Sequence, residues 1–329
     1  MKGVPLILVC IAVLAGLSLL SLGIGRYPVS PSAIVSWLLT GSSADGNLPV
    51  VLLGIRLPRL VAAIAAGGAL SLSGAAYQGL FRNPMVSPDI LGVSSGFGAA
   101  LGILFSLPVA AVQAMSFAGG ITAVLAAVIV SRAVGRSSDS VLVLVLSGIV
   151  ISSLFGALLS LLKYIADPLD KLPAITYWLM GSFADIRTGE LGAAVAMVLA
   201  GAVPLLLLSW RLNVLSFGEE EARSLGLHTE RMRVAVILSA TLVTASMISV
   251  CGIIGWVGLV VPHISRFLAG ANHRRLMPVS FFVGAAFMVA VDTVARSAAS
   301  VEIPVGIITA VLGAPFFIWI MKRSSVRAW

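Results

Sequence analysis

From position 90 to position 131 this chain carries no Asp, Glu, Lys or Arg, a run of 42 uncharged residues. A water-facing surface needs charge at a density that such a segment lacks. In lipid the demand inverts. Every backbone N–H and C=O must be satisfied within the chain, which leaves helices or closed barrels. About 20 apolar residues make one helical crossing, so this run holds two. Pro108, in the string Ser106-Leu107-Pro108, favours the break between them.

Comparable runs recur at 4–25, 60–80, 90–107, 109–131, 141–162, 191–210, 234–265, 277–291 and 303–321. Only 10% of the 329 residues are charged and 59% are hydrophobic, so little is left for a soluble surface. The expectation is an all-α polytopic membrane protein, one domain over 1–329. Lys2 before the first run looks like the start of a signal peptide. That run is long and shows no small-residue cleavage site, so it reads as a retained first span.

The run 234–265 is too long for one ordinary span. Arg231 and Arg233 precede it, and Arg266, Arg274 and Arg275 follow it. If basic loops face the cytoplasm, the run must go out and return. Gly252, Gly255 and Gly258 offer a place to turn. That gives about ten spans with both termini cytoplasmic. On this count 14 of the 21 Lys and Arg fall inside, among them Arg82, Arg132, Arg136, Arg211, Arg223 and the tail ending in Arg327. Seven fall outside or near the outer ends: Arg26, Arg56, Arg59, Lys163, Lys171, Arg187 and Arg296. The net charge of +8 therefore speaks of orientation in a membrane, not of nucleic acid. Small-residue strings such as AAIAAGGALSLSG at 62–74 let helix backbones approach closely.

Against this background GEEEARSLGLHTERMR, at 218–233, stands out with seven charges in 16 residues. Glu219, Glu220 and Glu221 come early and Arg231 and Arg233 late, an order that suits a helix dipole. Gly226 breaks it into two short helices, and Ala222, Leu225 and Leu227 give a small apolar face. It reads either as a solvated connector or as a docking surface for a cytoplasmic partner. RLPR, at 56–59, puts Arg56 and Arg59 on one helix face with Pro58 in the first turn. With Arg296 they form either snorkelling interfacial cations or an external patch that receives carboxylates. Asp292, four residues before Arg296, is expected to pair with it.

Chemistry motifs are scarce. The three histidines form no HExxH, and no GxSxG occurs. Cys10 and Cys251 lie in apolar runs and suggest neither a disulfide nor a metal site. None of the four lysines is followed by Ser or Thr, so no phosphate-binding loop is present. If ATP drives this chain, another polypeptide binds it. An ion-coupled carrier would need several ionisable groups near mid-membrane, and only Asp292 comes close. An intramembrane enzyme would need a nucleophile–base pair or a metal cluster.

Five stretches resemble one family: RLPRLVAAIAAGGALSLSGAAYQGLFRNP from Arg56, LGVSSG from Leu91, GEEEARSLG from Gly218, GLVVPHISR from Gly258 and EIPVGIITAVLGAPFF from Glu302. The family is the permease subunit of type II ABC importers for iron–siderophores, haem and cobalamin. The resemblance implies ten spans in the cytoplasmic (inner) membrane and a second copy of the chain or a close relative. It implies two ATPase subunits that bind ATP and magnesium, and a soluble or lipid-anchored substrate-binding protein. The chain itself would bind no cofactor or metal and catalyse nothing. A coupling segment at about 212–233 would meet the ATPase through Gly218, Glu219, Glu220, Glu221, Ala222, Arg223, Leu225, Gly226 and Leu227. Arg56, Arg59 and Arg296 would receive the binding protein. Asn83 and Ser140 would lie near a cytoplasmic gate with Met85 beside them. Iron–siderophore is the first expected cargo, with haem and cobalamin behind it and an oxyanion as an outlier. The chain departs from the family at Asn272-His273-Arg274, at Trp256 and at Met85-Val86-Ser87-Pro88.

Overall fold

The computed structural model describes residues 3–25, 27, 29–40, 46–134, 140–186 and 188–324. Lys2, Arg26, Arg136, Arg187 and Arg327 of the charge count lie outside the described residues. No strand forms among the described residues. In chain order the helices are α1 Gly3–Gly23, α2 Pro31–Thr40, α3 Leu57–Leu80, α4 Phe97–Leu104, α5 Val109–Val134, α6 Ser140–Ile165 and α7 Lys171–Leu179. They continue with α8 Thr188–Leu215, α9 Glu219–Ser224, α10 Thr229–Cys251, α11 Val257–Ala269, α12 His273–Ser297 and α13 Val305–Ser324. A π-helical stretch, Val50–Arg56, runs directly into α3, and a 3-10 turn, Pro88–Leu91, precedes α4.

Among the described residues, seven helices are long and apolar enough to cross a membrane: α1, the joined Val50–Leu80, α5, α6, α8, α10 and α12. The remaining three expected spans fall on α4, α11 and α13. The continuous span expected at 90–107 does not form. Gly92 and Gly96 take positive φ, +84° and +67°, and only the eight residues of α4 are α-helical. At 1.5 Å per residue α4 is about 12 Å long, well short of about 30 Å of hydrocarbon. The break at Ser106–Pro108 is where the sequence put it. The helices α2 and α7 were not anticipated.

The core is built around α3. Nearly every residue from Pro58 to Leu80 is buried, against α8, α10, α11 and α12. Small residues make this possible. A Cβ on Gly67 would overlap the carbonyl of Gly284 on α12, and one on Gly74 would overlap the carbonyl of Gly258 on α11. In lipid no hydrophobic force draws helices together, so close backbone packing and interhelical hydrogen bonds do so. Thr244 Oγ1 bonds Ser73 Oγ at 2.9 Å, and the Tyr77 and Thr241 hydroxyls meet at 3.3 Å, tying α10 to α3. Gly74→Ala is expected to cost about 1–3 kcal/mol, because the clash is with backbone. It should appear as a lower thermal midpoint in detergent. Gly192→Ala, where a Cβ meets nothing within 4 Å, serves as the neutral control.

The long run 234–265 does go out and return. Asn213, near the end of α8, donates to Asn272 Oδ1 at 3.0 Å and accepts the His273 backbone N–H at 2.8 Å. So α12 starts on the face where α8 ends and α10 begins. The chain leaves that face along α10 and comes back along α11. The reversal spans 252–256, with Gly252 at φ +72° and Trp256 at φ +70°. Gly258 is not part of it. It lies inside α11, where a Cβ would come within 2.9 Å of the Leu70 carbonyl oxygen.

Candidate functional site

Three groups of residues matter, one at each end of the bundle and one along its side. The first is the charged segment at the end of α8. Gly218, at φ +129°, turns the chain into the single short helix α9. Gly226, at φ +81°, ends it, but the helix that follows is no second short piece. It is α10, which runs on into the bundle. Ala222 is fully buried in the main core, and Leu227 packs against that core. Leu225 alone is 68% exposed. The expected common apolar face is therefore split: two side chains anchor the turn and one projects from it.

The charges divide in the same way. Arg233 donates to Glu219 and, at 3.1 Å, to Glu230. Arg132 of α5 reaches Glu230 at 3.1 Å. Arg223 bonds the Thr229 hydroxyl at 3.2 Å and lies 3.5 Å from Glu219. These pairs tie α9 to α10, and α10 in turn to α5. Glu220 and Glu221 stay exposed beside Leu225. The result is a rigid, acid-rimmed knob with one protruding leucine.

The second group lies at the opposite end. Arg56 is buried and donates to the carbonyls of Leu22, Gly23 and Tyr27, closing the C-terminal end of α1. Arg296 donates to the backbone and the hydroxyl of Ser21, the latter at 2.7 Å. Arg59 is only 7% exposed. Its Nε meets Asp292 Oδ1 at 2.7 Å, and its terminal nitrogens grip both carboxylate oxygens of Glu302. Asp292 therefore has Arg59 as its chief partner, with Arg296 Nε farther off at 3.6 Å. Three guanidiniums and two carboxylates leave this cluster one positive charge in excess. The arginines are neither snorkelling nor free; each is held by the fold.

The third group lines a groove along the side of the bundle, a cavity of about 430 Å³ between the Pro88 turn and α6. Met85 is 54% exposed there. Asn83 supports it, its side-chain oxygen accepting the Met85 N–H at 2.9 Å. Across the groove stand Ile149, Ser152 and Ser153 of α6. Asp89 lies in its wall, bonded to the Ser94 and Ser87 hydroxyls. Ser140 is the first residue of α6, and its side chain lies outside the described residues. The sequence reading passed over Asp89, Ser152 and Ser153. Asp89 had left one signal, as the single carboxylate between Asp45 and Asp139.

A multi-pass bundle of small-residue-packed helices, with a charged knob at one end and a buried arginine cluster at the other, is the build of a permease. The FecCD transport family profile matches residues 11–323, and the chain belongs to that family. It is 42% identical over 333 residues to the molybdate import system permease protein of Haemophilus influenzae, covering 99% of this chain and 96% of that one. It is also 42% identical to the cobalamin import system permease protein of Halobacterium salinarum, over 83% of this chain and 74% of that protein. A solved metal-chelate type ABC transporter in an inward-facing conformation superposes with a TM-score of 0.85 at 38% identity, covering 98% of this chain and 99% of that one. The chain is thus an ABC importer permease subunit with the all-helical fold expected from its sequence.

Proposed function

We propose that this chain is the membrane-spanning subunit of an ATP-driven importer that receives a metal chelate, foremost an iron–siderophore, from a binding protein and releases it into the cytoplasm. One observation carries the reading. A chain with no phosphate-binding loop presents a braced, exposed knob, Glu220, Glu221 and Leu225, at one end of an importer permease fold. A separate ATPase pair, carrying ATP and magnesium, is the motor that such a knob suits. Ten spans, both termini cytoplasmic and a second copy or close relative complete the assembly. The α9 face is then the cytoplasmic side of the inner membrane. To reverse a 1:99 population of inward and outward states, ATP must favour one of them by about 5.5 kcal/mol.

Molybdate is the second reading. It is favoured by the Haemophilus relative, which matches over nearly the full length of both chains. The test is deletion of the chain from its host, followed by uptake measurements with ferric siderophore, haem, cobalamin and molybdate. Loss of one uptake names the cargo. Undiminished uptake of all four contradicts import of this class.

Docking of the binding protein at Arg56, Arg59 and Arg296 carries a condition. A partner's carboxylates must compete with the internal acceptors, of which Glu302 is the more exposed, its side chain at 20%. Glu302→Gln removes that competitor. It is expected to tighten docking about fivefold, the worth of one partly exposed ion pair. A pull-down titration with the binding protein reads the change. Weaker docking by this variant would place the contact elsewhere.

A further inference from the structure

Beneath α9, on the face that starts α10, lies a cavity of about 650 Å³ that shares Leu225, Gly226 and Leu227 with the coupling segment, while its basic lining has no part in the proposed import cycle. Its floor is the end of α8, with Trp210 and Arg211; its roof is the Gly226 turn and the first turns of α10, with His228 and Arg231. Two guanidiniums and an imidazole therefore line one space, and no carboxylate lines it. Among the described residues none of the three bonds to another side chain. Of the acids nearest in sequence, Glu230 is held by Arg132 and Arg233 and Glu219 by Arg233 and Arg223, while Glu220 and Glu221 stand exposed on α9 outside the cavity lining.

The surroundings show which medium this space faces. Leu199, Val203, Leu207 and Trp210 are each more than half exposed and stand three or four residues apart, a single stripe down α8. On α10, Leu238 is 50% exposed, seven residues beyond Arg231. The α8 stripe is an exposed apolar surface that ends at the cavity, where Trp210 joins the lining. An indole at that level is the usual marker of the headgroup boundary. Basic pockets between spanning helices on the cytoplasmic side hold acidic headgroups.

We propose that this cavity is a binding site for an anionic phospholipid of the inner leaflet. Its phosphodiester sits between Arg211, Arg231 and His228, and its acyl chains lie along the α8 stripe at Leu207 and Val203. The site rests on the proposed cytoplasmic placement of the α9 face and not on the identity of the cargo. Because the Gly226 turn forms its roof, an occupied site braces the root of α9. An acidic segment of a protein partner is the competing occupant, but the apolar α8 stripe running into the cavity is surface for acyl chains.

The test is native mass spectrometry of the full-length chain in detergent, titrated with phosphatidylglycerol and separately with phosphatidylcholine. The wild type is expected to retain phosphatidylglycerol in preference. The pair Arg211→Gln and Arg231→Gln is expected to weaken that binding about 30-fold, and either change alone about fivefold. The single variants keep the test decisive if the pair folds poorly. Arg274→Gln with Arg275→Gln, cations on the same face outside the cavity, should change nothing. Equal phosphatidylglycerol binding by the wild type and the Arg211 and Arg231 variants would overturn the proposal. Displacement of the lipid by inorganic phosphate would overturn it in favour of a free-anion site. Variants that keep the lipid but lose a co-purifying ATPase would overturn it in favour of a protein contact.

Discussion

Arg59→Ala is expected to destabilise the chain by about 3–5 kcal/mol, the largest effect of any single change considered. The guanidinium lies between Asp292 and Glu302, and Asp292 is 2% exposed. Removing it leaves two carboxylates facing each other with no cation between them. Arg296 does not compensate. It is held by Ser21 and lies 3.6 Å from Asp292. Unfolding in detergent should begin well below the wild-type midpoint. A triple change, Arg59→Met with Asp292→Leu and Glu302→Gln, should restore most of the loss, because replacing a buried charge set by apolar groups is often neutral or better. Wild-type stability of Arg59→Ala would mean that the three side chains do not form one ionic unit. The same reasoning bears on docking studies. Charge reversal at Arg59 would bring a third carboxylate into a buried pair, so a loss of docking by that variant would report misfolding. Glu302→Gln avoids the difficulty.

Leu225→Asp is expected to uncouple the permease from its motor while leaving the fold intact. Leu225 projects beyond the paired charges of α9, so its loss removes little internal packing. A central apolar anchor in a protein contact is commonly worth about 2 kcal/mol or more, some 30-fold in affinity. Co-purification of the ATPase should fall accordingly, and ATP-driven uptake should be abolished. Ala222→Asp should behave differently. Ala222 is fully buried, so that variant should lose folded yield first. The contrast separates a contact residue from an anchoring residue within one six-residue helix.

The span pattern could be read in the sequence because lipid imposes one rule on every residue of a crossing helix. The uncharged runs, the break at Pro108 and the out-and-back path of 234–265 all follow from it. What escaped depends on neighbours distant in the chain. Asp292 was assigned to Arg296 because four residues is a helical contact. Its chief partner, Arg59, is 233 positions away and reaches it only because α3 and α12 pack backbone to backbone at Gly67 and Gly284. The split of Ala222 and Leu227 from Leu225 was hidden for the same reason. Helical spacing gives a common face, but the body beneath α9 decides which side chains it covers. The short α4 escaped because hydropathy does not register the positive φ of Gly92 and Gly96, which lets the chain leave a helix within an apolar run.

The central claim is that this permease is a passive conduit worked from the α9 face by a separate ATPase. The direct measurement is cargo uptake into sealed proteoliposomes holding the purified chain, with and without its ATPase, ATP and the loaded binding protein. The account predicts uptake only when all are present, and none with Leu225→Asp. Cargo moving through the chain alone, driven by an ion gradient or by its own concentration difference, would contradict it.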